Sequence, residues 1–272
     1  MYGEAAPERV GRVLVASVTI ALSSAAALGA CSRDAGADST DDGAAERGTG
    51  TTASAAAGRG DDRSLAPEPD ARNAPPPARA PAGAEPTILF IGTSLTAGYG
   101  VDAPDAFPAV VGRMLDSAGT PAKIVNAGVS GETSAGARTR IDWVLRQPAD
   151  VIVVETGAND GLRGLSVSAA RENIQVMLDR IRAKQPSARV LLVQMEAPPN
   201  LGPAYTMAFH GMYAEIAKET GAMLMPFLLN GVAGDRSLNQ ADGIHPTPEG
   251  HRVIADLVWR ELRPMLTTIS TS

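Results

Sequence analysis

Five residues of this chain fall where the sequence leaves a regular element, and their types are those of acyl-transfer chemistry. Ser94 follows an apolar run within Gly92-Thr93-Ser94-Leu95-Thr96-Ala97-Gly98. A serine hydroxyl there is a candidate nucleophile and equally a helix cap. The frame is not G-x-S-x-G, which disfavours the nucleophile elbow of α/β-hydrolases. Asp242 and His245 stand in Gln240-Ala241-Asp242-Gly243-Ile244-His245-Pro246. An acid three residues ahead of a histidine can fold back onto Nδ1–H, fixing the tautomer and leaving Nε2 as a base. The same spacing also suits a surface turn. The other two histidines, His210 and His251, fall inside helical patterns, where they are expected to be solvated or packed. Gly131, just before a helical pattern, offers backbone N–H groups to an oxyanion, or is a turn before a Thr133 cap. Asn159, in Glu155-Thr156-Gly157-Ala158-Asn159-Asp160-Gly161, offers a side-chain amide to developing negative charge, or is a left-handed turn residue.

The elements that must position these residues alternate. Short runs rich in β-formers predict strands over 87–92, 122–126, 151–155, 190–195 and 222–226. Helical spacing predicts helices over 104–118, 133–146, 167–184 and 205–220. Thr247-Pro248-Glu249 opens a last one, with Thr as N-cap, Pro at the first helical position and an acid in the first turn. Strand runs that are apolar on both faces call for a parallel sheet covered by helices on both sides, an α/β fold. Sites of such sheets lie at the carboxyl ends of the strands. Ser94 would follow the first strand, Gly131 the second and Asn159 the third, with Asp242 and His245 before the last helix. All five then converge on one sheet edge.

Composition bounds the rest. The chain has 272 residues and is 44% hydrophobic, but residues 32–85 hold Leu65 as their only large aliphatic side chain. That stretch cannot bury enough apolar surface to fold. It reads as a tether, and the foldable domain as 86–268 with a short tail at 269–272. A net charge of −6 with 4% aromatics argues against a nucleic-acid partner. The single cysteine, Cys31, ends Leu28-Gly29-Ala30-Cys31, after Arg9, Arg12 and an apolar run from Val13 to Ala30. Those are the parts of a secretory signal. The stretch resembles a bacterial lipoprotein signal over 1–30, with Cys31 as the lipidated residue. The expected location is therefore the bacterial cell envelope, at the periplasmic face or outer membrane, with a lipid anchor as the membrane contact. An ordinary signal peptide and a single membrane span are the alternatives. No H-E-x-x-H and no G-x-G-x-x-G occurs, so neither a zinc hydrolase nor a dinucleotide fold is indicated.

The order and spacing of the polar residues resemble the SGNH (GDSL-type) hydrolases over essentially all of 86–266. The family's defining Ser, Gly, Asn and His match Ser94, Gly131, Asn159 and His245, with Asp242 as the acid. Gly157-Ala158-Asn159-Asp160-Gly161-Leu162-Arg163-Gly164 and Asp242-Gly243-Ile244-His245-Pro246 are similar to the branch known as multifunctional acyl-CoA thioesterase, arylesterase and lysophospholipase. The resemblance implies a flavodoxin-like three-layer α/β/α sandwich with a mostly parallel five-stranded sheet and no metal or organic cofactor. It also implies a serine esterase acting on small acyl esters or thioesters, with an oxyanion hole of the Ser94 N–H, Gly131 N–H and Asn159 amide. One departure is Thr93, where the family's first block usually carries Asp. A Thr hydroxyl can still support that turn by hydrogen bonding. Leu162, Leu165 and Leu201 are candidate acyl-pocket walls, or ordinary loop leucines. Two rivals remain open at this point: a carbohydrate O-deacetylase, and a lipid-anchored binding protein in which Thr93 marks lost catalysis.

Overall fold

Runs of Val, Ile and Leu form the sheet, because branched side chains fit a pleated surface buried on both faces. In the computed structural model, which describes residues 85–269, the strands are β1 (Thr87–Gly92), β2 (Lys123–Gly128), β3 (Val151–Glu155), β4 (Arg189–Val193) and β5 (Met223–Met225). The expected signal segment, Cys31 and nearly all of the tether lie outside the described residues. The strand order is β2-β1-β3-β4-β5 and every pairing is parallel, so the sheet is wholly rather than mostly parallel. Central β1 and β3 are buried almost throughout, whereas edge strand β2 is only half covered.

The helices are α1 (Ser94–Ala97), α2 (Phe107–Ser117), α3 (Ser134–Val144), α4 (Ala158–Leu162), α5 (Val167–Lys184), α6 (Pro203–Thr220) and α7 (Pro248–Ile269). α2 packs on α7, while α3, α5 and α6 pack in a row, giving a helical layer on each face of the sheet. α7 runs one residue into the stretch read as a tail. Capping follows the sequence signals. Thr133 Oγ1 accepts from Gly136 N, Ser166 Oγ from Ala169 N, and Thr247 Oγ1 from Gly250 N. The short helices α1 and α4 carry no periodicity that sequence could show. No helix among the described residues is long and apolar enough to cross a membrane.

The core lies between the sheet and its helices. Phe90 of β1 meets Phe107 of α2 edge to face, ring centroids 5.7 Å apart. Each such buried side chain contributes roughly 1.5–3 kcal/mol. The chain leaves β1 toward β2 and later returns to β1's other side as β3. The crevice between β1 and β3 is therefore the topological switch point, where open α/β sheets bind ligands. Ser94 and Asn159 stand just past the ends of those two strands.

Candidate active site

Ser94 opens α1 directly after β1, and two close approaches hold that turn. A Cβ on Gly128 would sit 2.3 Å from the Ala97 amide nitrogen, so a glycine is what lets α1 lie against the end of β2. Asn126 Nδ2 donates to the Thr96 carbonyl at 2.8 Å. Beneath the turn lies Glu155, the last residue of β3 and fully buried. Its carboxyl accepts from Thr93 N (2.7 Å), Thr93 Oγ1 (2.9 Å) and Thr96 Oγ1 (2.9 Å). The Thr93 hydroxyl thus supports the turn as expected, and Glu155 is the partner that the sequence did not reveal.

Burial pushes the Glu155 carboxyl up to about 7, against the pull of the Thr93 and Thr96 hydrogen bonds. His251, behind the site in α7, is also fully buried, and burial lowers it to about 4. Its Nδ1 accepts from Phe107 N. These two groups act in opposite senses. The folded protein holds the Glu155 proton more tightly than the unfolded chain, so this contribution is present below pH 4.5 and is lost as pH rises through about 7. The His251 contribution is present above pH 6.5 and is lost as pH falls through about 4. Where the windows overlap, the two slopes offset. Glu155→Gln removes one of them. Its urea-unfolding stability is expected to fall on acidification from pH 6.5 to 4.5, by up to about 1.4 kcal/mol per pH unit, while the parent stays nearly level. Parallel curves for the two proteins would contradict this assignment.

On the other side of Ser94 the loop before α7 brings in Asp242 and His245. His245 Nε2 lies 2.9 Å from Ser94 Oγ, and His245 Nδ1 lies 2.7 Å from Asp242 Oδ2. Asp242 Oδ1 accepts from the backbone N–H of Ile244 and of His245. The His245 ring N–H above all, then those backbone donors, hold the Asp242 carboxyl down to about 2. An ionised Asp242 can only accept, so Nδ1 carries the proton and Nε2 faces the serine with a lone pair. The loop itself is braced by Gln240, whose N–H donates to the His245 carbonyl and whose Nε2 donates to the carbonyls of Tyr99 and Pro246. The Tyr99 ring packs on His245 at 4.5 Å between centroids. Neither Gln240 nor Tyr99 was singled out from sequence.

Gly131 and Asn159 converge from the ends of β2 and β3. Gly131 has φ +76°, a conformation that favours glycine. Its carbonyl accepts from Arg163 Nη2 at 2.9 Å, and the next carbonyl, of Glu132, accepts from Asn159 Nδ2 at 3.0 Å. Arg140 clamps the Glu132 carboxylate at 2.6 and 2.7 Å. Buried Asp160 accepts from the N–H and hydroxyl of Ser134, tying α4 to the start of α3. Among the described residues, the N–H groups of Ser94 and Gly131 have no protein acceptor. One Asn159 amide hydrogen is likewise left over. Asn159 lies in a short helix rather than a turn, because Gly157 at φ +92° redirects the chain out of β3.

These groups border a cleft of about 350 Å³ whose walls include Leu162, Met195, Phe227, Leu229 and Ile244. Of the three leucines proposed as walls, only Leu162 lines it. α4 ends at Leu162, and Gly164 at φ +62° turns the chain so that Leu165 is 42% exposed. Leu201 packs near Gly164 instead, outside the cleft lining. His210 is solvent-exposed at 60% and pairs with Glu196 at 2.7 Å.

A parallel sheet in flavodoxin order, with a histidine-polarised serine at its switch point and spare donors beside it, belongs to the class of SGNH-type hydrolases. A family model described as "GDSL-like Lipase/Acylhydrolase family" matches residues 90–253, and the chain belongs to that family; it is a hydrolase. It is 38% identical to "Esterase TesA" of Pseudomonas aeruginosa, over 66% of this chain and 89% of that protein. It is 35% identical to "Thioesterase 1/protease 1/lysophospholipase L1" of Escherichia coli, over 68% of this chain and 87% of the relative. The psychrotrophic esterase EstA from Pseudoalteromonas sp., in a structure inhibited by monoethylphosphonate, superposes with a TM-score of 0.63 at 32% identity. That match covers 66% of this chain and 98% of EstA.

Proposed function

We propose that this chain is a serine esterase that hydrolyses carboxylic esters, and thioesters, of small acyl substrates such as aryl esters or lysophospholipids. The observation that carries this reading is the pair of contacts at His245, 2.9 Å to Ser94 Oγ and 2.7 Å to Asp242. Ser94 Oγ attacks the ester carbonyl while His245 Nε2 takes its proton, and Asp242 stabilises the imidazolium. The tetrahedral oxyanion receives hydrogen bonds from the N–H of Ser94, the N–H of Gly131 and the Asn159 amide, each worth roughly 3 kcal/mol in the barrier. The carbonyl re-forms as the C–O bond to the alcohol breaks, with the His245 proton going to the leaving oxygen. Water, deprotonated by His245, then attacks the acyl-enzyme and releases the acid and free Ser94.

The substrate class is supported by the apolar cleft walls and by the names of the relatives. Retention of activity despite Thr93 is supported by its hydrogen bonds to Glu155, which hold the serine turn in place. We also propose that Cys31 carries lipid and holds the enzyme at the cell envelope, a reading that rests on Arg9, Arg12, the apolar run from Val13 to Ala30 and Leu28-Gly29-Ala30-Cys31. An exported enzyme would meet lipid esters and scavenged aryl esters rather than cytosolic acyl-CoA.

The test is turnover of p-nitrophenyl esters from acetate to palmitate. A cleft of about 350 Å³ is at the small end for ligand sites. The expected optimum is therefore a short to medium chain, with palmitate slower by about tenfold or more. Turnover of acetate with rejection of every longer chain would transfer the assignment to an O-deacetylase. A folded protein that turns over none of them would overturn the esterase reading in favour of a binding protein.

A further inference from the structure

We infer that Glu196 is a specificity-determining carboxylate which, with Gln194 and His210, forms a subsite for a cationic group carried by the ester substrate. This rests on the hydrolytic reading above and adds which esters that site favours.

Beyond the groups around Ser94, the cleft wall is mostly apolar and its polar side chains are uncharged except for one. Glu196, just past the end of β4, is the only carboxylate lining it, and no Lys or Arg lines it among the described residues. The carboxylate is fixed at one oxygen. Oε1 accepts from Gln194 Nε2 at 2.6 Å and from His210 Nδ1 at 2.7 Å. Oε2 accepts from no described residue, so a residue that lines the cleft keeps one strong acceptor without a protein donor. With 31% of its side chain exposed, Glu196 is reachable by a ligand yet flanked by low-dielectric surface, where a charge interaction is stronger than in bulk water.

Other residues of the same lining bear on the kind of group. Phe227 and Tyr99 also line the cleft, and aromatic faces attract quaternary ammonium as well as apolar surface. An anionic group in the same space would meet the Glu196 carboxylate, with no lining Lys or Arg among the described residues to offset it. Arg163, beside the oxyanion side, is engaged by the Gly131 carbonyl and does not line the cleft. The favoured class is thus an ester bearing a trimethylammonium or similar cation, and the disfavoured class is its anionic counterpart. The cation can belong to the acyl chain or to the alcohol, and the two are separable.

The test measures kcat/KM for two isosteric triads on the full chain. One triad keeps the p-nitrophenyl leaving group and ends the acyl chain in trimethylammonium, tert-butyl or carboxylate. The other keeps butyrate and varies the alcohol between choline, its neutral carbon isostere and 3-hydroxypropanoate, which keeps the same spacing to the charge. In the parent protein the cation should exceed the neutral isostere by about fivefold on one arm, which identifies the end of the substrate that Glu196 faces. The anion should fall below neutral by a similar factor on the same arm. Glu196→Gln should bring all three within about twofold of one another, chiefly through KM. Glu196→Lys should reverse the order. A charge preference that persists in Glu196→Gln, or none in the parent on either arm while neutral esters turn over, overturns the subsite alone. No turnover of any ester overturns the hydrolytic reading and the subsite with it.

Discussion

Ser94→Ala is expected to lower kcat/KM for p-nitrophenyl butyrate by about 10⁵-fold while leaving the far-UV spectrum and Tm nearly unchanged. The magnitude follows from what Oγ does. In the proposed mechanism it is the atom that forms the acyl bond, and among the described residues no other hydroxyl is held 2.9 Å from His245 Nε2. The residual rate comes from the Ser94 and Gly131 N–H groups and the Asn159 amide, which still bind the oxyanion when water attacks. Stability should change little, because Ser94 sits at the surface edge of the core and alanine suits the first turn of α1. The measurement is steady-state kinetics beside thermal unfolding. A variant within tenfold of the parent would remove Ser94 from the nucleophile's role.

Asp242→Asn is expected to lower kcat by about 10³-fold, less than a buried triad acid would give. The substituted side chain would present an amide to Nδ1 and favour the wrong tautomer, putting the imidazole proton on the nitrogen that faces Ser94. Two features soften the loss. The Asp242 side chain is 40% exposed, so water can take its place, and Gln240 and Tyr99 hold the His245 loop and ring independently. The backbone N–H groups of Ile244 and His245 would keep the amide oxygen as their acceptor, and this holds the NH2 toward Nδ1. The loss should fall on kcat with KM within about threefold, because Asp242 acts on His245 and does not line the cleft. A variant with full kcat would show that the 2.7 Å contact to His245 is structural only.

What the sequence made legible was whatever is local. Apolar runs located all five strands within a few residues, and Asp242 was read as His245's partner because a turn of three residues brings them together. Ser94, Gly131 and Asn159 were candidates because each stands within a few residues of the end of a strand that the pattern exposes. The supports were not legible, since they pair residues far apart in the chain. Glu155 reaches Thr93 across 62 positions and Gln240 reaches Tyr99 across 141. Glu155 looked like the polar end of a strand, and nothing in its spacing pointed to Thr93. The cleft walls failed for a related reason. Phe227, Leu229 and Ile244 lie in a long irregular segment without period, while Leu165 and Leu201 looked apolar enough but are turned aside after α4.

The most direct test of the central claim is labelling by a fluorophosphonate, followed by intact-mass and peptide mass spectrometry. The expected result is a single adduct, mapped to Ser94, formed at a rate that His245→Ala slows by about 10³-fold or more. An adduct on a different residue, or a folded protein that stays unlabelled under conditions that saturate a serine esterase, would contradict the mechanism.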